Sequence, residues 1–324
     1  MEMARRVLVA SLLVGTAVGP LCAPLPALAQ DEGPIRMFMP YTPGGGADTL
    51  GRLVATSVNK RSDRNIVVEN KPGANTILAT DYVSTQKPDG TTLLYASSSF
   101  TINPHLYKVS YDPATSFAPV ALLSEIPLVM VTTKDSPFQR VQDVIDKAKA
   151  KPGQISYASY GLGSAAHLGG VLFESKASVK MLHVPYKGSM PALNDLMGHH
   201  VDVAIVSLES ALAMIKGGEL RALGIFNQDR LSSLPQVPTM VETVPGCVAV
   251  GWNGILAPKG TDPAVVKKLN YQINQALVSA DLKQYFLNQG LEPKQRTPEE
   301  FTQIIKDENA KWGQLVSAAG LKLE

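Results

Sequence analysis

Cysteine is nearly absent from this chain: 324 residues hold two, Cys22 and Cys247. A fold stapled by several disulfides is excluded. Aromatic residues make up only 6%, and no basic run is interleaved with them, which removes the usual footprint of a nucleic-acid partner. Neither sign of charge dominates, with 30 basic against 28 acidic residues. Internal repeats, low-complexity tracts and long flexible linkers are missing, and beyond the N-terminal segment no apolar run approaches bilayer length.

That N-terminal segment has a composition of its own. Met1 to Arg6 is short and basic, Val7 to Val18 is apolar and small, and Ala27-Leu28-Ala29 fits the small-x-small cleavage rule of a secretory signal. Residues 1–29 are therefore expected to be a signal peptide cleaved near Ala29, placing the mature chain in the periplasm. A membrane anchor is the competing reading, but the apolar run is short for a span and is followed by Pro20, Pro24 and Pro26. Lipid attachment at Cys22 conflicts with Leu21 and Pro20 before it, where lipoprotein signals use small residues. Cleavage removes Cys22 and leaves Cys247 as the only thiol, so no intramolecular disulfide can form and stability must come from packing. The mature chain is close to neutral and long enough for two α/β lobes, each with its own core.

What the chain does have is glycine at a junction. Pro43-Gly44-Gly45-Gly46-Ala47-Asp48 lies between an extended run, Ile35 to Pro40, and a helical run from Thr49. Successive glycines let the backbone turn, with positive φ where needed, and leave no side chain between its N–H groups and a ligand. The helix start adds unpaired donors and the positive end of its dipole, which suits a carboxylate or phosphate. A tight strand-to-helix turn with Asp48 as N-cap is equally compatible with these six residues alone.

Strand-like and helix-like segments then alternate, as in parallel sheets with crossover helices. Strands are expected at 35–40, 65–69 and 91–96, with helices at 49–60 and 76–86. A second series has helices at 141–150, 165–178, 190–197 and 210–216, and strands at 155–158, 181–184, 201–206 and 220–226. Lys71-Pro72-Gly73, Lys87-Pro88-Asp89-Gly90, Lys151-Pro152-Gly153 and Lys216-Gly217-Gly218 supply the breaks. Extended runs at 126–133 and 248–257 flank the second series. Together these predict a first lobe over 30–127, a second over 128–247, and a return to the first over 248–324, including helices at 263–279 and 298–318. Two lobes joined by paired crossover strands can hinge about a central cleft.

Ligands of open α/β sheets bind at the carboxyl ends of the strands. There the first lobe offers Tyr41 to Asp48 and Ser97-Ser98-Ser99; the second offers Ser159-Tyr160-Gly161-Leu162-Gly163-Ser164, Tyr186-Lys187-Gly188-Ser189 and Ser207. The candidate ligand-binding set is Tyr41, Gly44, Gly45, Gly46, Ala47, Asp48, Ser97, Ser98, Ser159, Tyr160, Gly163, Ser164, His167, Tyr186 and Ser207. Most contribute hydroxyls or bare amides, which suits a carboxylate held by neutral donors. Ordinary capping explains any single serine, but not their recurrence at successive strand ends.

Other chemistries fit poorly. Gly161-x-Gly163-x-x-Ala166 has dinucleotide spacing, but the next strand ends His183-Val184-Pro185-Tyr186-Lys187, without the acidic residue that holds a ribose. No Gly-x-Ser-x-Gly elbow occurs, and Ser164 with His167 lacks an acidic orienter, so no catalytic residue is assigned. His167 is read as a hydrogen-bonding partner of ligand or loop. His199-His200 lacks metal-ligand spacing and marks a helix end; no metal or cofactor is expected. Trp312, Phe301 and Phe286 read as core, and Trp252 as core or as the floor of the cleft.

Several stretches also resemble one family. Residues 40–48, Val68-Glu69-Asn70-Lys71-Pro72-Gly73-Ala74, Pro88-Asp89-Gly90-Thr91-Thr92-Leu93-Leu94 and Tyr111-Asp112-Pro113 are similar to segments of tripartite tricarboxylate transporter substrate-binding proteins, also called Bug proteins. So are Lys151-Pro152-Gly153, Tyr157-Ala158-Ser159, His183 to Gly188, Leu234-Pro235-Gln236-Val237-Pro238-Thr239 and Gly254-Ile255-Leu256-Ala257-Pro258. The resemblance covers essentially the whole mature chain. It implies a two-lobed, type II-like periplasmic binding fold that closes over a small organic carboxylate. It also implies delivery to integral-membrane transporter subunits, with no catalysis, and a monomer is expected. The ligand carboxylate would be held, partly through ordered water, by Gly45, Gly46, Ala47 and Asp48 on one side and Ser159, Gly163 and Ser164 on the other. A periplasmic hydrolase or lyase acting on a small acid, or a sensory receptor for one, is the alternative.

One departure bears on specificity. Many relatives carry an acidic residue at the end of the strand over 201–206, where this chain has Val206-Ser207; Glu209 follows where proline is frequent. A monocarboxylate or aromatic carboxylate is thus expected at least as readily as a short polycarboxylate.

Overall fold

The computed structural model describes residues 33–62 and 64–322; the expected signal peptide, its cleavage site and Cys22 lie outside the described residues. The first strands, β1 (Ile35–Met39), β2 (Ile66–Asn70) and β3 (Thr92–Ser97), pair in parallel with β1 in the middle. Helices α1 (Gly46–Asn59) and α2 (Ile77–Ser84) connect them. After α3 (Ser99–Leu106) the chain enters β4 (Phe117–Thr133), a strand of 17 residues. A second series follows: α4 (Val141–Ala150), β5 (Ser156–Ser159), α5 (Ala165–Ala177), β6 (Leu182–Pro185), α6 (Ser189–Met197), β7 (Val203–Ser207), α7 (Leu208–Lys216) and β8 (Leu220–Ile225). Then β9 (Val250–Pro258) returns, followed by α8 (Pro263–Leu277), α9 (Ala280–Gln289) and α10 (Pro298–Ala318).

The strand order is β2-β1-β3-β9-β4-β7-β5-β6, with β8 also on β4. Two strands make the crossing. Over Phe117–Pro127, β4 pairs antiparallel with β9, and over Leu128–Thr133 it pairs with β7 and β8. The register shifts near Ala121 and between Leu122 and Ser124, bulges within the β9-paired part that bend the strand ahead of the change of partners at Leu128.

Helices cover both faces, so inner strands such as β3 and β7 are buried on both sides and read as nearly continuous apolar runs. On β3, Leu93 and Tyr95 join a core with Leu50, Val54, Ile255 and Phe286, while Leu94 joins Phe38, Trp252 and Phe301 on the opposite face. The second series has its own pair of cores, around Tyr157, Phe173, Ile205 and Trp312, and around Val131, Leu193 and Val206. Helix α10 touches both halves: Phe301 and Ile305 pack with Trp252, and Trp312 and Leu315 pack with the core of Phe173.

Most expected elements occur within one to three residues of their expected ends. Two helices escape the sequence pattern. Phe100, Thr101, Ile102 and Asn103 of α3 are all buried, so that helix has no polar stripe to set a period, and Pro104 argues against it. No helix is expected over the residues of α9; its N-cap, Ser279, is the last residue of the helix expected over 263–279. β4 begins nine positions before the expected run, its earlier part being disguised by bulges and by Pro119. No described helix is long and apolar enough to cross a membrane.

Candidate functional site

Five helices begin around one cleft of about 620 Å³. Their N-caps, Gly45 for α1, Ser98 for α3, Ser164 for α5, Gly188 for α6 and Ser207 for α7, all line it. Only Ser164 makes a side-chain capping bond, accepting the backbone N–H of His167 at 3.2 Å. The other four starts carry no side-chain cap, so their first-turn N–H groups and positive dipole ends are available to an anion.

Of the expected ligand set, the structure brings Tyr41, Gly45, Gly46, Ala47, Ser97, Ser98, Tyr160, Ser164 and Ser207 to the cleft wall. Gly44, Asp48, Ser159, Gly163, His167 and Tyr186 stand behind it, each with a visible task. Gly44 alone of the three glycines needs positive φ, at 89°. Its N–H donates to Asp48 Oδ2 at 3.0 Å.

Asp48 is not the N-cap; Gly45 is, and Asp48 lies in the first turn with its carboxylate turned inward. Arg52 Nε donates to Oδ2 at 2.9 Å and Asn70 Nδ2 to Oδ1 at 2.7 Å. Burial alone would raise this carboxyl, but the bonds from Arg52, Gly44 and Asn70 outweigh it and hold the pKa at about 2, against an ordinary 3.8. The stabilisation this gives is complete above pH 4 and is lost as pH falls toward 2. Asp48→Asn should therefore cost about 2 kcal/mol at neutral pH and flatten the unfolding free energy between pH 4 and pH 2. Urea denaturation at stepped pH reads both; an unchanged acid limb would detach Asp48 from loop stability.

The second glycine loop is braced by imidazoles. His167 Nδ1 accepts the Gly163 N–H at 3.2 Å, its ring stacks on His183 at 4.2 Å, and His183 Nε2 lies 2.7 Å from Ser159 Oγ. Burial pushes His167 down to about 4, and burial with the neighbouring His167 pushes His183 down to about 3, so both are neutral at pH 7. Ser164 donates its hydroxyl to Gly161 O at 2.6 Å, so Ser164 and His167 do not form a nucleophile–base pair. Tyr186 donates to Asp195 Oδ2 at 2.6 Å, tying the loop to α6. His199 and His200 follow the end of α6, His200 lying 3.6 Å from Asp195. No group of three or more metal-ligating side chains occurs among the described residues.

Several cleft residues carry no sequence signal of their own. Asn75 lines the wall within Ala74-Asn75-Thr76, three successive non-glycine residues at φ of 45°, 50° and 76°. Such a run is strained and is held by Asn103, which accepts from Asn75 Nδ2 at 2.8 Å and donates to Asn75 O at 2.7 Å. Ile126, Gly251, Trp252 and Asn253 come from the crossover strands, so Trp252 is both core and cleft wall. A second cavity of about 530 Å³ shares Gly251 and Trp252. Among its charges, Lys294 pairs with Glu125 at 3.3 Å and with Glu292 at 3.7 Å, and Arg230 with Glu242 at 2.6 Å.

An α/β fold in which five helix starts, four of them without a side-chain cap, converge on one cleft offers a place to hold a solute. The sequence profile described as "Tripartite tricarboxylate transporter family receptor" matches residues 50–321, and the chain belongs to that family. The protein BugT of Bordetella pertussis (strain Tohama I) is 36% identical over 328 residues, spanning 100% of both chains. The periplasmic binding protein BugD superposes with a TM-score of 0.78 at 32% identity, over 90% of this chain and 99% of its own. MatC from Rhodopseudomonas palustris, solved with bound malate, gives 0.76 at 28% identity, over 88% and 99%. The chain is accordingly a two-lobed solute-binding receptor and not an enzyme.

Proposed function

We propose that this receptor captures a small organic carboxylate in the 620 Å³ cleft and delivers it to integral-membrane subunits of a tripartite transporter. The observation that carries the reading is the convergence of five helix N-termini, four without a side-chain cap. The carboxylate rests on the amides of Gly46 and Ala47 and on the hydroxyls of Ser98 and Ser207, while Asp48, Ser159, Gly163, Ser164, His167 and Tyr186 position those groups. MatC's malate supports the ligand class. Residues 30–127 with 248–324 form one lobe and 128–247 the other, the hinge lying in β4 and β9. The chain works in the periplasm, a location that the similarity to the periplasmic binding protein BugD supports, after cleavage near Ala29 and as a monomer.

A thermal-shift screen of mono-, di- and amino-carboxylic acids tests this. A true ligand at a hundredfold excess over its Kd should raise Tm by roughly 5 °C or more, and NMR should return it chemically unchanged. Absence of any saturable shift would remove the carboxylate reading; turnover would replace the receptor with an enzyme.

A further inference from the structure

Among the described residues, only two formally charged side chains line the cleft, Lys187 and Glu209. Glu209 sits in the first turn of α7, and its Oε1 lies 3.5 Å from where a Cβ on Gly46 would stand, so it reaches the loop that opens α1. It makes no hydrogen bond or ion pair with any described residue, and burial alone pushes its carboxyl up. Its charge reaches three phenols, adding to the burial that raises Tyr95, Tyr160 and Tyr285. Tyr285 donates to Gly46 O at 3.2 Å, and the buried Tyr95 hydroxyl has no partner.

A partly buried carboxyl without a donor is costly for the empty receptor. A ligand carboxylate on the Gly46 and Ala47 amides would arrive within a few ångströms of it, and like charges that close repel. A second ligand carboxylate does not relieve this. A protonated amine does, through a charge-assisted hydrogen bond, and the surrounding aromatic rings favour a cation further. We infer that Glu209 reads an ammonium group: the captured acid is a zwitterion, an amine-bearing carboxylate, and Glu209 is the residue that sets this preference over dicarboxylates.

The inference rests on the carboxylate reading above. Calorimetry on the mature chain with matched acids tests it: L-alanine, L-leucine, 4-aminobutanoate and 5-aminopentanoate against butanoate, pentanoate, succinate, malate and adipate. The expected result is that at least one aminated acid binds more tightly than its plain or dicarboxylic counterparts. Glu209→Gln should then weaken it by about tenfold to a hundredfold while leaving the Tm of the empty protein within a few degrees. If butanoate, succinate, malate or adipate binds and no aminated acid does, the inference falls and the carboxylate reading stands; if nothing binds, both fall. Tighter binding of butanoate as pH drops, imitated by Glu209→Gln at neutral pH, would make Glu209 a protonated donor and also overturn the inference. Equal aminated-acid affinity in Glu209→Gln overturns it outright.

Discussion

A Gly45→Val chain should fold normally and lose its ligand. Gly45 has φ −75° and ψ 168°, an extended conformation open to any residue, and no atom lies within 4 Å of the position its Cβ would take. The fold therefore tolerates the side chain. The space it enters is the cleft, beside the first-turn amides of α1 that are proposed to meet the carboxylate. A β-branched group there blocks approach to those donors, and charge-assisted hydrogen bonds of this kind are individually worth about 1.5–3 kcal/mol. Losing two should weaken binding on the order of a hundredfold or more, with Tm in the absence of ligand almost unchanged. Calorimetry with the acid found by screening, alongside thermal unfolding, separates the outcomes. Retained affinity would take the loop out of the site, whereas a collapse of Tm would make it a structural corner. Gly44→Val is the contrasting case, because φ of 89° strains a β-branched residue whatever the space.

The second large effect is on stability. Gly254 lies in β9, between Ala96 of β3 and Leu122 of β4. A Cβ there would collide with the ring of Phe301 and stand 3.0 Å from the carbonyl oxygen of Ala121. Phe301 is fully buried and packs edge-on against Trp252, ring centroids 5.3 Å apart. Neither a paired backbone nor a packed ring can retreat cheaply, so Gly254→Val should cost about 3 kcal/mol or more. It should also loosen the N-terminal turns of α10 from the crossover strands. Urea denaturation reads the loss. A Phe301→Leu change in the same chain should recover part of it; no recovery would mean that the clash with the Ala121 carbonyl decides.

The sequence made the alternation of elements legible because parallel strands and their crossover helices have different periods and are separated by glycine and proline turns. Helix α10 is found over the residues expected, 298–318, since its amphipathic stripe is long and its Thr297 cap is explicit. What could not be read is where local pattern and tertiary packing part company. α3 is buried on every side, and β4 hides its first nine residues behind bulges. The same division runs through the site. Tyr41, Gly45, Gly46 and Ser164 were legible because a glycine loop or a cap serine at a strand end has a local cause. Asn75 and Asn253 face the cleft only because distant segments meet there. Glu209 was visible as an oddity of the chain, but its lack of a partner is a property of the assembled cleft. His167 keeps the loop half of its expected role, its Nδ1 accepting the Gly163 N–H, and Asp48 sits in the expected loop with its carboxylate held by Gly44, Arg52 and Asn70 behind the wall.

The uncapped helix starts have a kinetic consequence. Their field comes from fixed partial charges at the ends of helices and fades within about a turn, while Lys187 and Glu209 leave the cleft wall with no net formal charge. An approaching carboxylate group is thus guided only over the last few ångströms, well inside the roughly 8 Å reach of charges at physiological ionic strength. Capture should proceed at a rate governed by diffusion and lobe closure, nearly indifferent to salt. Such a receptor keeps its capture rate when the surrounding medium swings between dilute and saline.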